Sequence, residues 1–201
     1  MLPGRLIAVE GGEGCGKSTQ AKLLAHELKA VLSREPGGTS VGERIRGILL
    51  DKASIELVPR TELLLLLAAR AQHVNEVVLP ALRAGRSVVV DRFSGSTLAY
   101  QGYGRGLPLE EVRYMAEWAA HGLWPDLNIL LDVPADIAHA RMGGDLDRME
   151  ALGEEFHRRV LDGYRRLALM DPDRWVVIDG SGSVQEVASL VRDAVKERLS
   201  L

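Results

Sequence analysis

One octapeptide restricts the fold of this chain more than any other stretch. Gly11-Gly12-Glu13-Gly14-Cys15-Gly16-Lys17-Ser18 fits the pattern G-x-x-x-x-G-K-[ST], and it lies between an apolar run at 6–9 and a helical stretch reaching about residue 28. That strand–loop–helix context raises the pattern above an accidental glycine-rich turn. Glycines let backbone N–H groups curl around a phosphate, and the dipole of the following helix adds positive potential there. Lys17 is placed to reach the β- and γ-phosphates, and the Ser18 hydroxyl to ligate Mg²⁺. Residues Gly11, Gly12, Glu13, Gly14, Cys15, Gly16, Lys17, Ser18 and Thr19 are therefore the expected nucleoside triphosphate site. Cys15, beside Lys17 at a helix start, reads either as an activated thiol or as a tolerated loop side chain.

A loop of this kind needs a strand before it and a helix behind it, and the rest of the chain repeats that alternation. Short apolar runs at 6–9, 30–33, 88–90, 127–133 and 175–179 are separated by helical patterns. Apolar residues recur at helical spacing over Ser40–Leu50, a long helix is expected from Pro59 to about residue 84 with Pro80 kinking or restarting it, and Gly85 can cap it. The stretch 102–108 reads as a glycine-rich loop before a helix over 109–121. Pro134 begins another helix, which breaks at 143–145 and resumes over Glu154–Met170. Ser183 and Glu186 make a capping box for the last helix. The pattern predicts an α/β protein: a three-layer α/β/α P-loop fold with a five-stranded parallel sheet, helices on both faces and a small lid near 141–150.

Composition narrows the function. With 201 residues, 46% hydrophobic and 26% charged, one domain spanning 1–201 is expected. A net charge of −3 and only 4% aromatic residues offer neither the field nor the stacking surface that nucleic acid requires. The longest apolar run, 63–69, is too short to span a bilayer. The single cysteine and the lack of a visible leader segment point to a cytoplasmic protein. His73 and His121 stand apart from other metal-binding types, so no metal besides Mg²⁺ is expected. Trp118, Trp124 and Trp175 read as packing residues.

A P-loop leaves kinases, GTPases and other nucleotide-driven proteins open. No N-K-x-D follows from Asn75 or Asn128, and Asp179-Gly180-Ser181-Gly182 is more simply a turn before the final helix. Asp91, at the end of the β-branched run Val88-Val89-Val90, stands where a carboxylate holds Mg²⁺ directly or through water. Arg92 then enters the crevice above the sheet, where ligands bind in open α/β folds.

At this point the chain resembles the thymidylate kinase family over its whole length. The resemblance is carried by Val9-Glu10-Gly11, Arg34-Glu35-Pro36-Gly37-Gly38-Thr39, Ala68-Ala69-Arg70-Ala71-Gln72-His73, Asp91-Arg92-Phe93-Ser94-Gly95-Ser96, Ser96-Thr97-Leu98-Ala99-Tyr100-Gln101-Gly102 and Leu146-Asp147-Arg148-Met149-Glu150. It implies transfer of the γ-phosphoryl group of ATP to dTMP, giving dTDP and ADP for dTTP synthesis. It further implies that Arg92 binds the acceptor phosphate and that Glu10 reaches the sugar 3′-hydroxyl or water on Mg²⁺. By the same resemblance Arg70, Ser96 and Gln101 contact the base, Tyr100 lies beneath the deoxyribose, and Pro36 joins the acceptor site. Arg46 is a second candidate for the acceptor phosphate and Arg105 a weaker one. Arg141 and Arg148 flank the lid and are its candidate catalytic arginines, since the P-loop carries Glu13 rather than a basic residue and Gly143 stands where such lids often place an arginine. Leu66 replaces the usual phenylalanine against the thymine. The leucines at 63–67 surround their helix, which with the resemblance implies a homodimer. A kinase for another nucleotide or a deoxynucleoside, and a nucleotide-dependent switch, are the alternatives.

Overall fold

The computed structural model describes residues 3–52, 57–143 and 147–200. The middle of the expected lid, and Leu146 of the last motif, lie outside the described residues. Within them, five parallel strands form one sheet: β1 (Leu6–Glu10), β2 (Val31–Arg34), β3 (Val88–Asp91), β4 (Leu127–Asp132) and β5 (Trp175–Asp179), in the order β2-β3-β1-β4-β5. Side chains alternate between the two faces of each strand. Ile7, Val9, Val89, Ile129 and Leu131 pack on one face, against α1 (Lys17–Glu27) and α9 (Val184–Leu199) through Ala21, Leu24, Val187, Val191 and Val195. Leu6, Ala8, Val88, Val90 and Leu130 face the opposite layer. The three-layer parallel fold expected from the alternation of elements is the one observed.

That opposite layer contains α3 (Pro59–His73), α4 (Leu79–Arg83), α5 (Ser94–Thr97), α6 (Leu109–Ala119) and α8 (Glu154–Met170); α2 (Ser40–Leu50) packs against α3, and α7 (Ala135–Arg141) lies beside the P-loop. Pro80 restarts the long helix as expected, with a five-residue π turn, Val74–Val78, inserted before α4. The Ser183–Glu186 capping box is present.

Two expectations fail here. The glycine-rich stretch after Gln101 is not a loop throughout: α5 runs on as a π-helix over Leu98–Gly104. Its small residues allow α8 to approach closely, for a Cβ on Gly104 would lie 2.7 Å from the Phe156 ring. Trp118 does not pack within the chain: it is 76% exposed, whereas Trp175 is buried and Trp124 packs on the core. The leucines at 63–67 divide as well. Leu63 and Leu67 are buried, Leu65 and Leu66 half-buried, and Leu64 exposed, so α3 is covered on fewer sides than its sequence suggests.

Candidate active site

β1 and β3 are neighbours in register, with Val9 opposite Asp91. The loops leaving their C-terminal ends therefore meet at the centre of the sheet, where the strand order reverses. The P-loop leaves β1, Asp91 and Arg92 leave β3, and a cleft of about 260 Å³ opens above them. Its walls include Glu13, Lys17, Ser18, Pro36, Arg46, Leu66, Arg70, Asp91, Arg92, Ser96, Tyr100 and Gln101.

The donor side is built mainly from backbone. Gly16, at φ 91°, turns the chain into α1, whose first residue is Lys17. The Lys17 ammonium curls back to donate to the Gly12 carbonyl at 2.6 Å. Gly14, at φ 70°, is approached by α7, and a Cβ there would lie 2.1 Å from the Ala138 carbonyl oxygen. Thr19 is exposed in the first turn of α1. Cys15 is buried among the apolar residues under α1, with the Lys17 ammonium 3.8 Å from its sulfur. The Ser18 hydroxyl donates to Asp91 Oδ2, while Asp91 Oδ1 is buried without a hydrogen-bond partner among the described residues. A hydroxyl and a carboxylate side by side, with one oxygen unspent, are the hard oxygen donors that Mg²⁺ takes.

Arg92 stands at the junction of the two sides. Its backbone is left-handed, φ 68°, a conformation that costs a non-glycine residue about 1–3 kcal/mol and persists where the surroundings over-determine it. Nη1 donates to the Gly11 carbonyl at 2.9 Å, to Ser96 Oγ at 3.2 Å and to the Tyr164 hydroxyl at 3.1 Å. Nη2 donates to Glu13 at 2.6 Å and to the Tyr100 hydroxyl at 3.1 Å, and the guanidinium lies over the Tyr100 ring at 4.9 Å. Burial alone would raise the Glu13 carboxyl, but Arg92, Lys17 and Tyr100 outweigh it and hold the group at about 2. Burial raises both Tyr100 and Tyr164 well above the usual phenol value, so they serve as neutral donors.

Glu10 differs from expectation. It is fully buried and outside the cleft wall, accepting from Phe93 N at 3.0 Å, Ser96 Oγ at 2.6 Å and the Tyr164 hydroxyl at 3.2 Å. Burial raises its carboxyl above the usual range. Its geometry is that of a residue holding the β3–α5 turn, and Glu13 is the P-loop carboxylate that faces the cleft. The Ser96 hydroxyl, expected at the base, is likewise spent on Glu10, Arg92 and Tyr164.

The far wall carries Arg70, 3% exposed. Its Nε reaches Glu35 at 2.8 Å, and Nη2 reaches Glu35 at 2.7 Å and Thr97 Oγ1 at 2.9 Å. Nη1 is buried with no partner among the described residues. The partner carboxylate, Glu35, also accepts from His73 Nδ1 at 2.9 Å, and Ser33 bonds the other ring nitrogen at 2.7 Å. Burial would raise Glu35, yet Arg70 and His73 bring it below the usual range. Arg46 donates to the Pro36 carbonyl at 3.0 Å and remains on the cleft wall. Burial, with Arg34 nearby, lowers its guanidinium.

The three remaining candidate arginines, Arg105, Arg148 and Arg141, are engaged with protein groups. Arg105 forks onto Glu62 at 3.1 and 2.8 Å, away from the acceptor phosphate region. Arg148 donates to Glu62 at 2.7 Å and to the Leu49 carbonyl at 2.6 Å rather than standing over the P-loop. Arg141, at the end of α7, donates to the Gly180, Ser181 and Gly182 carbonyls at 2.8, 3.0 and 3.2 Å. The residues missed from sequence are those partners: Glu35, which reads as part of a turn, and Glu62 and Tyr164, which carry no signal of their own. Nothing in their local spacing marks them.

A P-loop, a carboxylate beside its serine and an arginine bridging to the far wall of the same cleft define a nucleotide-binding kinase of the P-loop class. Known proteins agree. The family model described as "Thymidylate kinase" matches residues 9–191. The chain is 45% identical to the thymidylate kinase of Geotalea uraniireducens, with 98% of this chain and 99% of that protein covered. It is 46% identical to that of Caldanaerobacter subterraneus, with 98% of each covered. The crystal structure of thymidylate kinase from Ehrlichia chaffeensis superposes with a TM-score of 0.80 at 31% identity, covering 96% of this chain and 98% of that one. The chain belongs to the thymidylate kinase family.

Proposed function

We propose that the protein transfers the γ-phosphoryl group of ATP to dTMP, with Arg92 holding the acceptor phosphate in line with the donor. The observation that carries the reading is the position of that guanidinium. It is bonded at once to the P-loop carbonyl of Gly11 and to the acceptor-side hydroxyls of Ser96 and Tyr100. A phosphate monoester has a second pKa near 6, so its oxygen is already ionised at neutral pH. That oxygen attacks the γ-phosphorus, the bond to the β–γ bridging oxygen breaks, and ADP leaves. No base is required. The barrier is the approach of two anions, and fixed cations lower it.

Lys17 supplies charge to the transferred group from the donor side, and Arg92 supplies it from the acceptor side. Ser18 and Asp91 are the side chains that would hold Mg²⁺, which when bound neutralises β- and γ-phosphate oxygens. Glu13 competes for Arg92, so an arriving acceptor phosphate must displace or share that ion pair. Tyr100 and Leu66 floor the sugar and base region, and Arg70 and Gln101 read the base. Arg46 is a second contact to the acceptor phosphate. Leu64, Trp118 and Tyr114, at 55%, 76% and 71% exposure on the packed helices α3 and α6, support a homodimer through that surface. We assign the enzyme to the cytoplasm, in line with its single cysteine.

Arg92→Ala tests the mechanism. Turnover should fall about 1,000-fold or more, while ATP binding changes less than about threefold. Near-normal turnover would overturn the role given to Arg92.

A further inference from the structure

Gln101 and Glu62 form a pair that the transfer mechanism does not use. Glu62, at the start of α3, is buried at the cleft wall. Its Oε1 accepts from Gln101 Nε2 at 2.9 Å and Arg105 Nε at 3.1 Å. Its Oε2 accepts from Arg105 Nη2 at 2.8 Å and Arg148 Nη2 at 2.7 Å. Gln101, 1% exposed, lines the cleft, and its Oε1 is buried with no partner among the described residues.

A glutamine amide is nearly isosteric with its flipped form, and a flip exchanges a donor for an acceptor. Left alone, Gln101 could present either group to a bound base. An ionised carboxylate accepts only, so it cannot pair with the amide oxygen. Burial would raise Glu62, but hydrogen bonds from Arg105, Gln101 and Arg148 outweigh it and keep the carboxyl below its ordinary range. The amide N–H₂ is thereby committed to Glu62, and the oxygen is what remains for a ligand. Arg70 is treated in parallel: Glu35 and Thr97 take Nε and Nη2, and the donor Nη1 is left over. One acceptor and one donor remain. A thymine or uracil presents the complementary edge, N3–H and the O4 carbonyl. A cytosine presents the reverse, a bare N3 and an N4 amino group.

We infer that Glu62 is the positioning residue that sets base specificity, fixing the Gln101 amide so that the site offers an acceptor to the base N3 and rejects a cytosine. The inference rests on the reading of Gln101 and Arg70 as base contacts. It adds that specificity depends on a carboxylate that acts through the Gln101 amide.

The test compares kcat/KM for dTMP with kcat/KM for dCMP on each variant. Their ratio cancels the fraction of folded enzyme, so a poorly folding variant still reports. Glu62→Gln can accept from or donate to Gln101, and should lower the ratio about tenfold or more, with the KM for ATP nearly unchanged. The reversed pair, Glu62→Gln with Gln101→Glu, restores an acceptor-only group at the base and should bring the ratio back toward wild type. A merely structural Glu62 would reduce both activities together and would not be rescued. Gln101→Leu separates the two layers of the argument. If it leaves the ratio unchanged, the base-contact reading fails and takes the inference with it. If it lowers the ratio while Glu62→Gln does not, the inference alone fails.

Discussion

The two sides of the cleft are made of different materials. The donor side is one continuous stretch, residues 11–18, whose shape is set by backbone geometry and by the start of α1. The acceptor side is assembled from side chains on β2, α3, α5 with its π continuation, and α8, and its arginines are held mainly by carboxylates. Glu13 faces Arg92, Glu35 holds Arg70, and Glu62 gathers Arg105 and Arg148. A backbone site tolerates little change in chain shape. A site built of paired charges tolerates chain shape but depends on every partner, since removing one partner leaves a buried charge uncompensated.

The first way to break this comparison is to add one methyl group to the donor side. In Gly14→Ala the new Cβ meets the Ala138 carbonyl at 2.1 Å in a left-handed backbone, and that conformation alone costs about 1–2 kcal/mol. The loop or α7 must shift, so ATP binding should weaken about 100-fold or more in titration calorimetry. ATP affinity within threefold of wild type would show that the loop is not set by its backbone.

A smaller effect is expected from the charge pair where the two sides meet. Glu13 is held at about 2 in the folded protein against an ordinary value of 4.5. A depressed carboxyl stabilises the fold above its unfolded value, and that contribution is lost as pH falls through the folded one. With allowance for screening at a carboxylate 19% exposed, it amounts to about 2 kcal/mol. Wild type should therefore exceed Glu13→Gln in stability at pH 7, by a margin that shrinks below about pH 4.5 and vanishes near pH 2. Urea melts from pH 7 to pH 3 check this, and a margin independent of pH would remove the ion pair from the account.

The same contrast explains what could be read from sequence. Ser40–Leu50, Glu154–Met170 and Trp175–Asp179 have the bounds their periodicity implies, because local pattern and burial agree there. The donor loop was legible for the same reason: its chemistry is contiguous. The arginines of the acceptor side were visible as residues. Their partners were not, because Glu35 and Arg70 are separated by 35 positions and Glu62 and Arg148 by 86. Arg105 and Arg148 were consequently aimed at phosphates when buried carboxylates hold them. Gly102 and Gly104 signalled a loop by composition, whereas contact with α8 keeps that segment helical. Leu66 is the one cleft position whose departure from the family was plain beforehand, and it does stand on the cleft wall.

The most direct test of the central claim is ADP formation from Mg-ATP with dTMP, dUMP, UMP, CMP, AMP and GMP offered separately, beside a reaction without acceptor. The account predicts strong preference for dTMP, dUMP a weaker second because it presents the same N3–H and O4 edge, and little ADP without acceptor. Turnover with another nucleotide but not dTMP would contradict the acceptor pocket as described, and hydrolysis indifferent to any acceptor would contradict phosphoryl transfer itself.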